Sequence, residues 1–179
     1  MCSEDDEVSA GTNIGDGFIV GSTRGNLQHF NSDCNFKWEK QAHEGEIRQI
    51  LYDQLNRLIF SLGNDGKVIA WPERNTEVEE ERKTITFKKK QITFMSLSPR
   101  NTLLAVGNSQ DRDLTIWNYE ILGLLTVIEM DSPVVAVNFS NNFDLLSIAT
   151  NDGKVHFLKY VKKEHDLNLT KLQEIDISN

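Results

Sequence analysis

His43, Ser61 and Asp65 bring an imidazole, a hydroxyl and a carboxylate into one short stretch of the chain. Those are the groups of a nucleophilic triad, in which the carboxylate orients the ring and the ring takes the hydroxyl proton. The rest of the inventory does not support catalysis. The four histidines, His29, His43, His156 and His165, show no ligand spacing such as His-x-x-x-His. The sequence has no Gly-x-Ser-x-Gly elbow, no Gly-x-x-x-x-Gly-Lys phosphate loop and no Gly-x-Gly-x-x-Gly fingerprint. Asp111-Arg112-Asp113 has part of a calcium loop but lacks its glycine and its later bidentate glutamate, so it reads as a hairpin turn. Two cysteines, Cys2 and Cys34, make neither a disulfide framework nor a metal-spaced pair. The expectation is a chain with no catalytic residue, no cofactor and no metal, in which His43, Ser61 and Asp65 serve structure.

The elements that must position these residues recur along the chain. Leu58-Ile59-Phe60-Ser61-Leu62, Leu103-Leu104-Ala105-Val106-Gly107 and Leu145-Leu146-Ser147-Ile148-Ala149 start 45 and 42 residues apart. Eleven residues before each lies Ile47, Ile92 or Val134, and six before lies Tyr52, Leu97 or Phe139. Thirteen or fourteen residues after comes Trp71, Trp117 or Leu158. An incomplete copy precedes them, with Phe18-Ile19-Val20-Gly21 followed by Phe30. The runs are short, rich in β-branched and aromatic residues, and bounded by Asn, Asp, Gly and Pro, which makes them strands. Asn64-Asp65-Gly66 and Asn151-Asp152-Gly153 tolerate the positive φ of tight hairpins, and Ser22-Thr23-Arg24-Gly25 does the same in the first copy. Outer strands are expected at Phe36 to Lys40, Thr84 to Lys88, Gly123 to Met130 and Leu172 to Ile177. Four strands per unit of about 41–46 residues is the arithmetic of a propeller blade.

Over residues 17 to 161 the repeats resemble the WD40-repeat family. The resemblance implies an all-β fold of WD40-type β-propeller blades, three complete four-stranded blades and a partial one, forming an incomplete ring. The expected units are 17–40 (partial), 43–88, 91–130 and 133–177. They follow an acidic flexible N-terminus over 1–16 and precede a polar C-terminal segment, 162–179, with an outer strand. The resemblance further implies a buried network of His43, Ser61, Asp65 and Trp71. A carboxylate in a tight turn accepts from the ring, the ring accepts the hydroxyl, and the hydroxyl oxygen receives an indole N–H. The other copies keep less. The third has Asp111 and Trp117 with Gly107 in the hydroxyl position. The fourth has Asp152 with Ile148 and Leu158, and the first has Arg24 and Phe30. Missing blades are expected to come from a longer chain.

Charge completes the picture. Nineteen Lys and Arg against 27 Asp and Glu give −8, which argues against nucleic acid as the partner. No apolar run reaches the ~18–20 residues of a membrane helix, and the N-terminus lacks a signal-peptide pattern, so the expected location is cytoplasmic with no membrane partner. The resemblance implies a non-catalytic protein–protein interaction scaffold. Its binding rim would carry Arg24, Glu44, Glu46, Asn64, Lys88, Lys89, Lys90, Arg112 and Asp131. The degenerate repeats are similar to those of large cilia- and flagella-associated WD-repeat proteins, which implies microtubule or axonemal partners and a cytoskeletal or ciliary site. The alternative is an RNA- or ribosome-assembly-associated WD40 protein that uses Lys88-Lys89-Lys90.

Overall fold

The computed structural model describes residues 6–73, 83–87, 92–164 and 166–177. Among the described residues sixteen strands form four separate four-stranded antiparallel meanders, each with its strands in chain order. The first two sheets lie in one compact unit, residues 1–91, and the last two in a second, residues 92–179. Among the described residues no helix is long and apolar enough to cross a membrane, a statement that does not bear on strands.

In the first unit, one sheet holds β1 (Val8–Ile14), β2 (Gly17–Ser22), β3 (Asn26–Asn31) and β4 (Phe36–Gln41). Its neighbour holds β5 (Ile47–Asp53), β6 (Leu58–Gly63), β7 (Lys67–Pro72) and β8 (Lys83–Thr86). Alternate side chains turn to one face, as the two-residue period requires. Ile14, Ile19, Leu27, Ile47, Ile50, Ile59, Ile69 and Trp71 thereby meet in a single core between the two sheets.

In the second unit, β9 (Phe94–Ser98), β10 (Leu103–Gly107), β11 (Asp113–Asn118) and β12 (Gly123–Glu129) form one sheet. The other consists of β13 (Val134–Phe139), β14 (Leu145–Thr150), β15 (Lys154–Lys162) and β16 (Leu167–Asp176). Their shared core gathers Leu103, Leu114, Ile116, Val134, Phe139, Leu146, Ile148 and Tyr160.

Three details differ from the sequence reading. The first sheet is a complete four-stranded blade, because β1 occupies part of the stretch expected to be a flexible terminus. Ser9, Ala10, Gly11 and Thr12 carry too little apolar bulk to announce a strand. The strand is held instead by pairing with β2 and by the Ser9 hydroxyl, which donates to the Ile47 carbonyl at 2.7 Å. The last strand starts at Leu167 rather than Leu172, since Leu167 is buried in the core and pairs with Lys162. Register also moves one position. Ser61 lies opposite Ile69 and Ile59 opposite Trp71, while Val106 lies opposite Thr115 and Leu104 opposite Trp117. Val106, not Gly107, therefore occupies the place of Ser61 in the third blade.

Candidate functional site: a buried network beneath polar turns

In the second blade the chain doubles back through Asn64, Asp65 and Gly66, and the loop leading into β5 crosses above this turn. His43 Nδ1–H donates to Asp65 Oδ1 at 2.9 Å, and His43 Nε2 accepts the Ser61 hydroxyl at 2.7 Å. Ser61 Oγ in turn accepts the Trp71 indole N–H at 3.0 Å. Every polar atom in this chain of bonds has a partner, which is what burial demands. Ser61 is 0% exposed and His43 2%. Burial pushes the His43 pKa down, and this outweighs the upward pull of Asp65 beside it. The ring is therefore neutral at pH 7, as the tautomer above requires. Burial pushes the Asp65 carboxyl up. The His43 N–H and the backbone N–H groups of Glu44 and Lys67 reverse this and hold it below its ordinary value.

Two glycines make room for the arrangement. A Cβ on Gly63 would stand 2.3 Å from His43 Nδ1, so the ring can lie over β6 only where that side chain is absent. Gly25 has φ of +90°, and a Cβ there would meet the His43 carbonyl oxygen at 2.1 Å. This lets the turn of the first blade press against the same loop. Gln41 ties the two together by donating to both the Arg24 and His43 carbonyls at 2.9 and 2.8 Å.

Of the expected rim, Arg24, Glu44, Glu46 and Asn64 cluster around this loop in the first unit. Asn64 donates to Glu46 at 3.0 Å, and Glu44 lies 3.9 Å from the Lys67 ammonium. In the second unit exposed Arg112 and Asp131 are neighbours, because the Met130 N–H donates to the Arg112 carbonyl at 3.0 Å. Lys88, Lys89 and Lys90 lie outside the described residues.

The remaining network residues do not repeat the second blade. Trp117 donates to Thr115 at 3.0 Å, so the hydroxyl has crossed the hairpin from β10 to β11. The Asp111 carbonyl accepts the Val134 N–H at 2.9 Å and thereby joins the turn of the third blade to β13. Asp152 accepts the Thr150 hydroxyl at 2.6 Å, while His156 faces Glu174 at 3.2 Å. In the first blade, Asp6 reaches the turn from outside it. It accepts from Thr23 Oγ1, the Arg24 N–H and Asn26 Nδ2 at 3.2, 3.0 and 3.2 Å. Burial raises its pKa, but a bond from Ser22 together with these three outweighs it and brings it below the usual value. Sequence reasoning missed Asp6, Gln41, Thr115, Thr150, His156 and Glu174. Only Thr150, two residues before Asp152 as Gly63 is before Asp65, carried a positional signal.

Comparison with known proteins bears on the fold and the family of repeats. The family described as "WD domain, G-beta repeat" matches residues 80–118. Eukaryotic translation initiation factor 3 subunit I of Meyerozyma guilliermondii is 32% identical over 109 residues, covering 60% of this chain and 30% of that protein. The same subunit of Emericella nidulans is 29% identical over 117 residues, covering 65% and 33%. The chain thus spans about a third of the length of these curated relatives. The β-propeller domain of Cps50 (Swd1) from Myceliophteria thermophila superposes with a TM-score of 0.71 at 13% identity, over 82% of this chain and 51% of that one. A chain of the mitotic checkpoint complex superposes with 0.75 at 19%, over 94% and 53%. These two likenesses are of fold.

Proposed function

We propose that these WD40-type β-propeller blades form a non-catalytic protein-interaction scaffold in a cytoplasmic assembly of the translation-initiation kind. The observation that carries the scaffold reading is the second-blade network. Its triad-type groups are spent on one another and on Trp71, with Ser61 fully buried, so the hydroxyl has no path to a substrate. What the network does instead is pin the loop from His43 to Glu46 onto the Asn64–Gly66 turn. Exposed polar groups on loops held by a rigid scaffold are the usual material of binding surfaces. Arg24, Glu44 and Asn64 are such groups, with half-buried Glu46 beside them.

The relatives described above support the choice of assembly, since both bear the name of a translation initiation factor subunit. They give no support to axonemal or microtubule partners, and a cytoskeletal or ciliary site is not part of this reading. The RNA-binding variant of the alternative would use Lys88-Lys89-Lys90. A chain at −8 fits a protein partner better.

Affinity purification of the tagged chain from nuclease-treated cytoplasmic extract tests this. Initiation-factor subunits should co-purify, and charge reversal at Glu44 and Glu46 should release them. Recovery of tubulin instead, or binding that disappears with nuclease treatment, contradicts the proposal.

A further inference from the structure

The second unit has a cleft that the proposed rim does not use. It lies at the strand ends opposite Arg112 and Asp131, where the β9–β10 and β13–β14 turns meet, and encloses about 710 Å³. That is within the usual range for a site holding a small ligand or a few side chains.

Its shape is built in. Thr102, with φ of +52°, closes a 3-10 turn over Pro99–Asn101. Lys162 holds this turn by donating to the Asn101 carbonyl and to Thr102 Oγ1, both at 2.6 Å. Asn101 Nδ2 donates to Asp144 Oδ1 and to the Tyr160 hydroxyl, each at 3.1 Å, which ties the turn to the fourth blade. The far wall comes from a β-bulge. Gln173 pairs with Phe157 and Lys171 with Leu158, leaving Leu172 as the extra residue, re-aimed from the ladder into the cleft lining.

The lining combines apolar surface with positive charge. Phe143 is 68% exposed and Leu172 55%, and Leu145 lies beside them. Arg100 and Lys159 are exposed, and neither has a carboxylate within ion-pair distance among the described residues. The single lining carboxylate, Asp144, is already engaged by Asn101. Arg100 donates to the Asn142 carbonyl at 3.4 Å. Two cations without carboxylate partners beside uncovered aromatic and aliphatic side chains favour a ligand with anionic flanks and an apolar centre.

We propose that this cleft docks an acidic segment of a partner protein, which inserts one aromatic or large aliphatic side chain against Phe143 and Leu172 while its carboxylates pair with Arg100 and Lys159. The site is separate from the polar rim and does not depend on the assembly proposed above.

The probe is the peptide acetyl-Asp-Glu-Trp-Glu-Asp-amide, titrated into the isotopically labelled full chain. It should bind, weaken with added salt, and shift the Leu145 and Leu172 methyl resonances. Acetyl-Lys-Lys-Trp-Lys-Lys-amide should not do so. The double variant Arg100→Glu/Lys159→Glu should lose about tenfold or more in affinity, and Phe143→Ser should lose severalfold, whereas Arg24→Glu should leave binding unchanged. If the double variant does not fold, the methyl shifts of the unaltered chain decide. No binding, shifts confined to residues elsewhere, equal binding by the folded double variant, or displacement of the peptide from these methyls by oligouridine overturns the proposal.

Discussion

The second and fourth blades share an Asn-Asp-Gly turn and satisfy its carboxylate in opposite ways. In the second, Gly63 leaves space above β6, and His43 arrives from the preceding loop to fill it. In the fourth, Thr150 stands at the equivalent register position, opposite Val134 as Gly63 is opposite Ile47. Its hydroxyl serves Asp152 directly. The second blade therefore spends its carboxylate on a long-range tie that stitches a loop to the sheet. The fourth spends it within one hairpin, with Lys154, Lys171 and His156 gathered around Glu174 nearby. The presence or absence of one side chain before the turn separates the two solutions.

The largest effect should come from Trp71→Ala. Removing this buried indole costs about 3–5 kcal/mol and leaves Ser61 without its donor, to be measured by denaturant unfolding. Gly63→Thr imposes the fourth-blade solution on the second. Its Cβ expels the His43 ring, at about 1–3 kcal/mol for overpacking. Adding His43→Ala should recover part of the loss, since the new hydroxyl can then reach Asp65 as Thr150 reaches Asp152. Strict additivity of the two changes would show that the side chain at position 63 does not choose between the two solutions. Asp65→Ala strands the His43 N–H and the backbone donors of Glu44 and Lys67, at about 1–3 kcal/mol.

A pH scan sharpens the same contrast. The His43 pKa is lowered by folding, so below about 6.5 the unfolded chain binds a proton that the folded chain refuses. Stability falls as pH drops from there toward the folded-state value. Asp65, also lowered, adds a further loss below about 3.8. Thermal melts of the parent should decline between pH 7 and 5 more steeply than those of His43→Gln. The smallest effect belongs to Asp152→Ala. That carboxylate is half-exposed and bonded only locally, and its removal should leave the melting temperature close to that of the parent.

The second blade was the most legible part of the chain because its four network residues come at recurring offsets and each has one suitable bonding role. Strand β1 escaped notice because its stability lies in backbone pairing and in Ser9, not in apolar side chains. The Thr115 solution could not be read from spacing, since deciding which residue lies opposite Trp117 and Val106 requires the register itself. The cleft was invisible for the same reason. Arg100, Phe143, Lys159 and Leu172 belong to four separate stretches, joined only by turn geometry and a bulge.

His43 is a buried, neutral ring that holds the second blade together. Nitrogen-detected NMR titration of His43 tests this most directly. The expected result is a neutral Nδ1–H tautomer that persists below pH 6.5, with the Trp71 indole proton protected from exchange. A ring that titrates at or above 6.5, beside a freely exchanging indole, would contradict it.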